Sequence, residues 1–109
     1  MQELISKIVE FRESRNWKQF HNAKDLAISL SLEASELLEL FQWKDSETVL
    51  IEKYQELQDE IADIFYYVLL ISHDAGFDLE KALLNKLKQN DKKYPIEKSF
   101  GSNKKYNEF

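Results

Sequence analysis

Apolar residues recur every three to four positions along most of the chain, the period of amphipathic helices. Leu4, Ile5, Ile8, Val9 and Phe11 define a first segment over about residues 2–14, and residues 15–21 read as a connector. Asn22, with Asp25 three positions on, fits an N-cap opening a second helix that runs to about Phe41. The polar Lys44-Asp45-Ser46 marks a break, with a short helical turn after Ser46. A third, long helix is expected over about Ile51–His73, ending near Gly76. Asp78 caps a fourth over about 79–93, stopped ahead of Pro95, and residues 96–109 read as a polar tail of one domain spanning 1–109. Four helices with short connections predict an all-α, antiparallel four-helix bundle.

Composition narrows the chemistry. With no cysteine among 109 residues, disulfides and thiolate catalysis are excluded, and two glycines and one proline supply too few turns for a many-stranded sheet. The longest apolar run, Ile64–Ile71, is too short for a membrane helix, which needs about 20 residues. No basic-then-apolar leader opens the sequence, so the expectation is a cytoplasmic protein with no membrane partner. The net charge of −5 combines −10 over residues 1–80 (7 basic, 17 acidic) with +5 over residues 81–109 (8 lysines, 3 acids). An acidic body does not suit binding to a nucleic acid polymer. It does suit a cation site beside an anion site.

Five pairs of acids lie three residues apart, where side chains neighbour one another on a helix. Context separates two of them from ordinary solvated faces. At about 100° per residue, Glu33 falls about 20° from Leu26, inside the apolar arc of the second helix, and Glu36 falls about 80° away at its edge. Between Leu26 and Leu38 these are the only charges; between Ile61 and Ser72 the only charge is Asp63, one turn after Glu60. The third helix is apolar on nearly every side, which predicts cover from its own bundle and from another subunit. Carboxylates on such surfaces need partners. Pairing with lysine or arginine is one solution, but the apolar stretches contain neither. A divalent cation is the other, and all-oxygen ligands select Mg²⁺, with Mn²⁺ as substitute, over zinc. A di-iron bundle would want Glu-x-x-His on two helices, and neither His21 nor His73 follows an acid by three.

Glu33-x-x-Glu36, 23 intervening residues and Glu60-x-x-Asp63 together resemble the signature of the MazG-like all-α nucleotide pyrophosphohydrolases, and within them the dCTP pyrophosphatase branch. Trp17-Lys-Gln-Phe20-His21, Leu38-Glu39-Leu40-Phe41-Gln42-Trp43 and Lys86-x-x-x-Asn90-x-x-Lys93-Tyr94-Pro95 extend the likeness along nearly the whole chain. The resemblance implies hydrolysis of a nucleoside triphosphate to monophosphate and pyrophosphate, Mg²⁺, and a homodimer or homotetramer. It also implies Glu33, Glu36, Glu60 and Asp63 as the metal set. Asp91 departs from the pattern, since relatives are often basic beside the phosphate-binding asparagine.

The chemistry distributes further roles. A triphosphate repels an anionic nucleophile, so the site must neutralise charge and activate water. Glu36, at the arc's edge, is the expected general base, with Glu33 as the alternative. Lys86, Asn90 and Lys93 are candidate phosphate contacts, whereas Lys88 and Lys92 read as a solvated face. Tyr94 fits a hydroxyl donor or a cap over the bundle end equally well. His21 and Trp43 are the stronger candidates for the nucleobase, joined by Tyr67, which shares the stripe of Glu60 and Asp63. Trp17 and Phe20 fit core packing as well as base stacking, and His73 fits a helix end. The second helix, about 30 Å long, separates His21 from Trp43, so both reach one base only if subunits contribute jointly. The function expected is Mg²⁺-dependent hydrolysis of dCTP or a modified dCTP. The alternatives are another nucleotide such as dUTP, or a non-catalytic helical interaction protein.

Overall fold

The computed structural model describes residues 1–109, and all its regular structure is helical: α1 (Gln2–Glu13), a 3-10 turn (Lys18–Phe20), α2 (Ala23–Glu39), α3 (Ser46–Glu52), α4 (Tyr54–Ala75), α5 (Leu79–Lys93), α6 (Ile96–Ser99) and a second 3-10 turn (Tyr106–Glu108). No helix is long and apolar enough to cross a membrane. The residues fall into two compact units, Met1–Gly76 and Phe77–Phe109.

Local chemistry explains most boundaries. Asn22 accepts a hydrogen bond from the Asp25 N–H at 2.8 Å and opens α2; Asp78 accepts from the Lys81 N–H at 3.0 Å and opens α5, both as the sequence predicts. Asp45 does the same for α3, accepting from the Thr48 N–H at 2.8 Å. The helical turn expected after Ser46 is therefore a separate helix. The long helix predicted from Ile51 begins at Tyr54, because Lys53 leaves helical geometry at φ −122°, ψ 32°. Gly76 ends α4 in the left-handed conformation, φ 80°, its N–H donating to the Ser72 and His73 carbonyls. The turn after α2 contains a costlier left-handed residue: Trp43, at φ 66°.

In the first unit α4 is the common support: α2 packs along it most extensively, and α1 and α3 dock on it as well. Leu26, Val49, Leu69 and Leu70 are fully buried, each contributing about 1.5–3 kcal/mol. Arg12 is completely enclosed. Large apolar residues remain on the surface, among them Leu38, Ile51, Tyr54 and Ile61. In the second unit the residues read as a tail are ordered around an aromatic cluster. Tyr94 meets Tyr106 and Phe109 edge-on at 6.1 and 6.0 Å, and Lys93 Nζ lies 4.9 Å from the Tyr106 ring centroid.

Candidate metal centre and adjoining cavity

Glu33 and Glu36 lie one turn apart on α2, and the packing of α2 on α4 brings Glu60 to them. One carboxylate oxygen from each of the three falls within 4.8 Å of the others. Glu33 and Glu60 are half-buried and Glu36 is exposed. Glu33 Oε2 and Glu60 Oε2 are buried and have no hydrogen-bond partner in the protein, an arrangement that is costly unless something else satisfies it. The Glu33 carboxyl is pushed up to about 7, first by burial, then by the close approach of Glu36 and Glu60 and by the charges of Glu36 and Asp63. Burial also raises Glu60, with Glu36 and Asp63 adding to the rise and Glu33 opposing it. Asp63, one turn beyond Glu60, is outside the set of converging oxygens, although its charge acts on both. No lysine or arginine pairs with these acids: the single salt bridge in the chain is Arg12–Asp74. Orphaned hard oxygen donors on two carboxyls raised first by burial fit a divalent cation of the Mg²⁺ or Mn²⁺ type.

Beside the acids, a cavity of about 550 Å³ opens between α1, the connector and α4. Asp63 lines it, together with His21, Tyr67, Phe11, Trp17 and Tyr66. Phe11 on α1 meets Trp17 of the connector at 5.8 Å and, across to α4, Tyr66 at 6.2 Å, both edge-on. His21 Nδ1 is buried without a partner, and the imidazole is held below its usual pKa by burial and then by the Arg12 charge. A neutral imidazole with a free ring nitrogen can recognise a polar edge of a flat ligand.

Of the other sequence candidates, Trp43 belongs to the first unit and Lys86, Asn90, Lys93 and Tyr94 to the second. Trp43 does not line this cavity; its indole is 93% exposed in the turn after α2. Lys86, Asn90 and Lys93 are on α5 and Tyr94 follows it, all in the second unit; Asn90 is half-buried and the other three are exposed. Trp17, open in the sequence between core and site, lines the cavity at 42% exposure. Phe20, at 64% exposure, is neither core nor cavity wall. The sequence reading missed the Arg12–Asp74 pair entirely. A signal was available: at about 100° per residue Arg12 falls between Ile8 and Ile5, inside the apolar arc of α1.

Comparison with known proteins gives concordant likenesses. The MazG-like family matches residues 28–109. The dCTP pyrophosphatase 1 of Rattus norvegicus is 35% identical over 102 residues, and that of Bos taurus 37% identical over 102 residues; each match covers 89% of this chain. The matched region is 60% of the length of either relative. The crystal structure of a pyrophosphatase from Archaeoglobus fulgidus superposes with a TM-score of 0.84 at 40% identity, covering 87% of this chain and 92% of that one.

Proposed function

Since the chain belongs to the MazG-like family, we propose that it is a nucleotide pyrophosphohydrolase that cleaves a nucleoside triphosphate, dCTP or a modified dCTP, to the monophosphate and pyrophosphate with Mg²⁺. The observation that carries this reading is the adjacency of three converging carboxylates, two of them with orphaned oxygens, to an aromatic cavity that Asp63 shares. The likeness to the dCTP pyrophosphatases and to the archaeal pyrophosphatase supports the substrate class.

In this reading Glu33, Glu36 and Glu60, with Asp63, hold the cation through carboxylate oxygens. The bound cation supplies charge neutralisation at the phosphates and polarises the phosphoryl group. Loading the site requires Glu33 to lose its proton, so cation affinity falls with pH below about 7. Glu36, the exposed member of the three, takes the proton of the attacking water. The water oxygen bonds to phosphorus, the α–β bridging P–O bond breaks, and pyrophosphate leaves. Trp17, Tyr67 and His21 take the base, the first two by ring contact and the last through its free nitrogen. Lys86, Asn90, Lys93 and Tyr94 are assigned to phosphate on the family resemblance.

The same reading includes a homodimer or homotetramer. Ile61 at 49%, Tyr54 at 60% and Ile51 at 82% exposure leave apolar surface on α3 and α4 that a second copy would cover. The test of function is pyrophosphate release from each dNTP with Mg²⁺ or with EDTA. Release that favours dCTP, needs the cation and disappears in Glu60→Ala supports the reading; no release from any dNTP, or release unchanged in Glu60→Ala, overturns it. The non-catalytic alternative, in which the acids pair with basic residues across a subunit interface, predicts no pyrophosphate release from any dNTP.

A further inference from the structure

The Arg12–Asp74 ion pair joins the end of α1 to the end of α4 across 62 residues of sequence. Nη1 donates to Asp74 Oδ2 at 2.7 Å and Nη2 to Oδ1 at 2.8 Å, the fork-on-fork geometry that fixes both position and angle. Arg12 is completely buried, yet it neither lines the cavity nor belongs to the acid set.

Its backbone anchors the connector at the same point. The Arg12 carbonyl accepts hydrogen bonds from the Trp17 N–H at 3.1 Å and the Arg15 N–H at 3.3 Å. The Trp17 and Lys18 carbonyls then accept from the Phe20 and His21 N–H groups, both at 2.9 Å, so the turn is continuous from Arg12 to His21. Arg15 stacks its guanidinium 3.8 Å from the Phe11 ring centroid. Phe11, Trp17 and His21 thus form one side of the cavity, carried on a segment clamped to α4 at Arg12; Tyr66 and Tyr67 form the other side, on α4 itself.

On the reading that this cavity takes the nucleobase, we propose that Arg12 and Asp74 are positioning residues whose ion pair sets the spacing of the two cavity walls, and with it nucleotide affinity and base discrimination, without taking part in the phosphate chemistry. A pair that only stabilised the fold would have no preferential effect on base recognition.

The test compares wild type with Arg12→Met, Arg12→Lys and Asp74→Asn by steady-state kinetics on the four dNTPs with Mg²⁺ and by calorimetric titration, also with Mg²⁺, using the non-hydrolysable α,β-imido analogue of each dNTP. Asp74→Asn retains an acceptor for Arg12, and Arg12→Lys retains the charge without the fork, so the test survives a failure of Arg12→Met to fold. The expected result is a KM for the preferred dNTP raised tenfold or more, kcat within about twofold, and a preference over the other three bases reduced at least fivefold. The titrations should weaken in parallel. An unchanged KM and base preference, or a loss of kcat equal for all four dNTPs, overturns the inference. Wild-type protein that binds the analogues without hydrolysing any dNTP overturns the hydrolase reading alone, and the titrations still decide the role of the pair. Wild-type protein that binds none of them overturns both.

Discussion

Glu33 on α2 and Glu60 on α4 each bury one carboxylate oxygen that no protein group satisfies, and with Glu36 they bring donor oxygens within 4.8 Å of one another. The folded chain thus contains a charge arrangement that is unfavourable by itself and favourable around a cation. Ligand binding and fold stability must therefore be coupled at this point.

The coupling is measurable by thermal denaturation. Mg²⁺ or Mn²⁺ at a hundredfold excess over its Kd should stabilise the protein by about 2.7 kcal/mol, a rise in Tm on the order of ten degrees. The rise should vanish in EDTA and in Glu60→Gln. A Tm that ignores the cation in wild type would remove the metal centre from consideration.

The pH dependence of the cation-free protein has a definite sign. The Glu33 carboxyl goes from an ordinary 4.5 to about 7 on folding. Below about 4.5 both folded and unfolded chains hold this proton and it has no effect on stability. Between 4.5 and 7 the unfolded chain releases it first, so stability falls as pH rises; above 7 the loss is complete. Glu33→Gln should flatten this limb and raise the Tm at pH 8 by several degrees in EDTA, while abolishing stabilisation by the cation. Urea denaturation at intervals across pH 4–8 measures both effects.

Glu36→Gln separates binding from proton transfer. An amide retains one oxygen for the cation but cannot accept a proton from water, so kcat should fall by about 10²–10⁴ with a much smaller change in dNTP KM. If KM instead rises while kcat holds, Glu36 is a ligand alone and Glu33 becomes the base to test.

Asp74 predicts the opposite pH limb. Its hydrogen bonds to Arg12 hold its carboxyl below the ordinary value of 3.8, so the stabilisation is complete above that value and is lost as pH falls through the lower folded one. Asp74→Ala leaves a wholly buried guanidinium unpaired and should cost about 3–5 kcal/mol at neutral pH in urea denaturation.

The parts of this molecule written locally in the sequence were legible there. Asn22 and Asp78 cap helices because their side chains reach an N–H three residues away, a relationship that spacing alone reveals. Glu33 stood out because a charge inside an apolar arc has to be explained by something across from it. Arg12 stands inside the apolar arc of α1 in the same way, but its partner, 62 residues distant, is silent in the sequence, because spacing does not say which acid a buried arginine meets. The interruption at Lys53 was equally silent, since neither glycine nor proline marks it. Pro95 was read only as the end of α5, although a proline also opens a helix readily, and α6 begins directly after it. Trp43 was named as a site residue from its neighbours in the motif; its left-handed backbone was not foreseeable, because tryptophan carries no preference for that region.

That backbone angle makes Trp43 a position where selection for fold stability and selection for the side chain pull in different directions. A bulky residue at φ 66° is less stable than glycine there by about 1–2 kcal/mol before glycine's extra freedom in the unfolded chain is counted. An indole that is 93% exposed returns almost nothing through packing within the chain. Stability engineering of a lone subunit would therefore discard the tryptophan at once, and a variant collection ranked by Tm alone should be enriched in glycine and asparagine at position 43. A collection ranked by turnover should keep the indole, and the distance between the two rankings measures what that side chain does outside its own subunit's core.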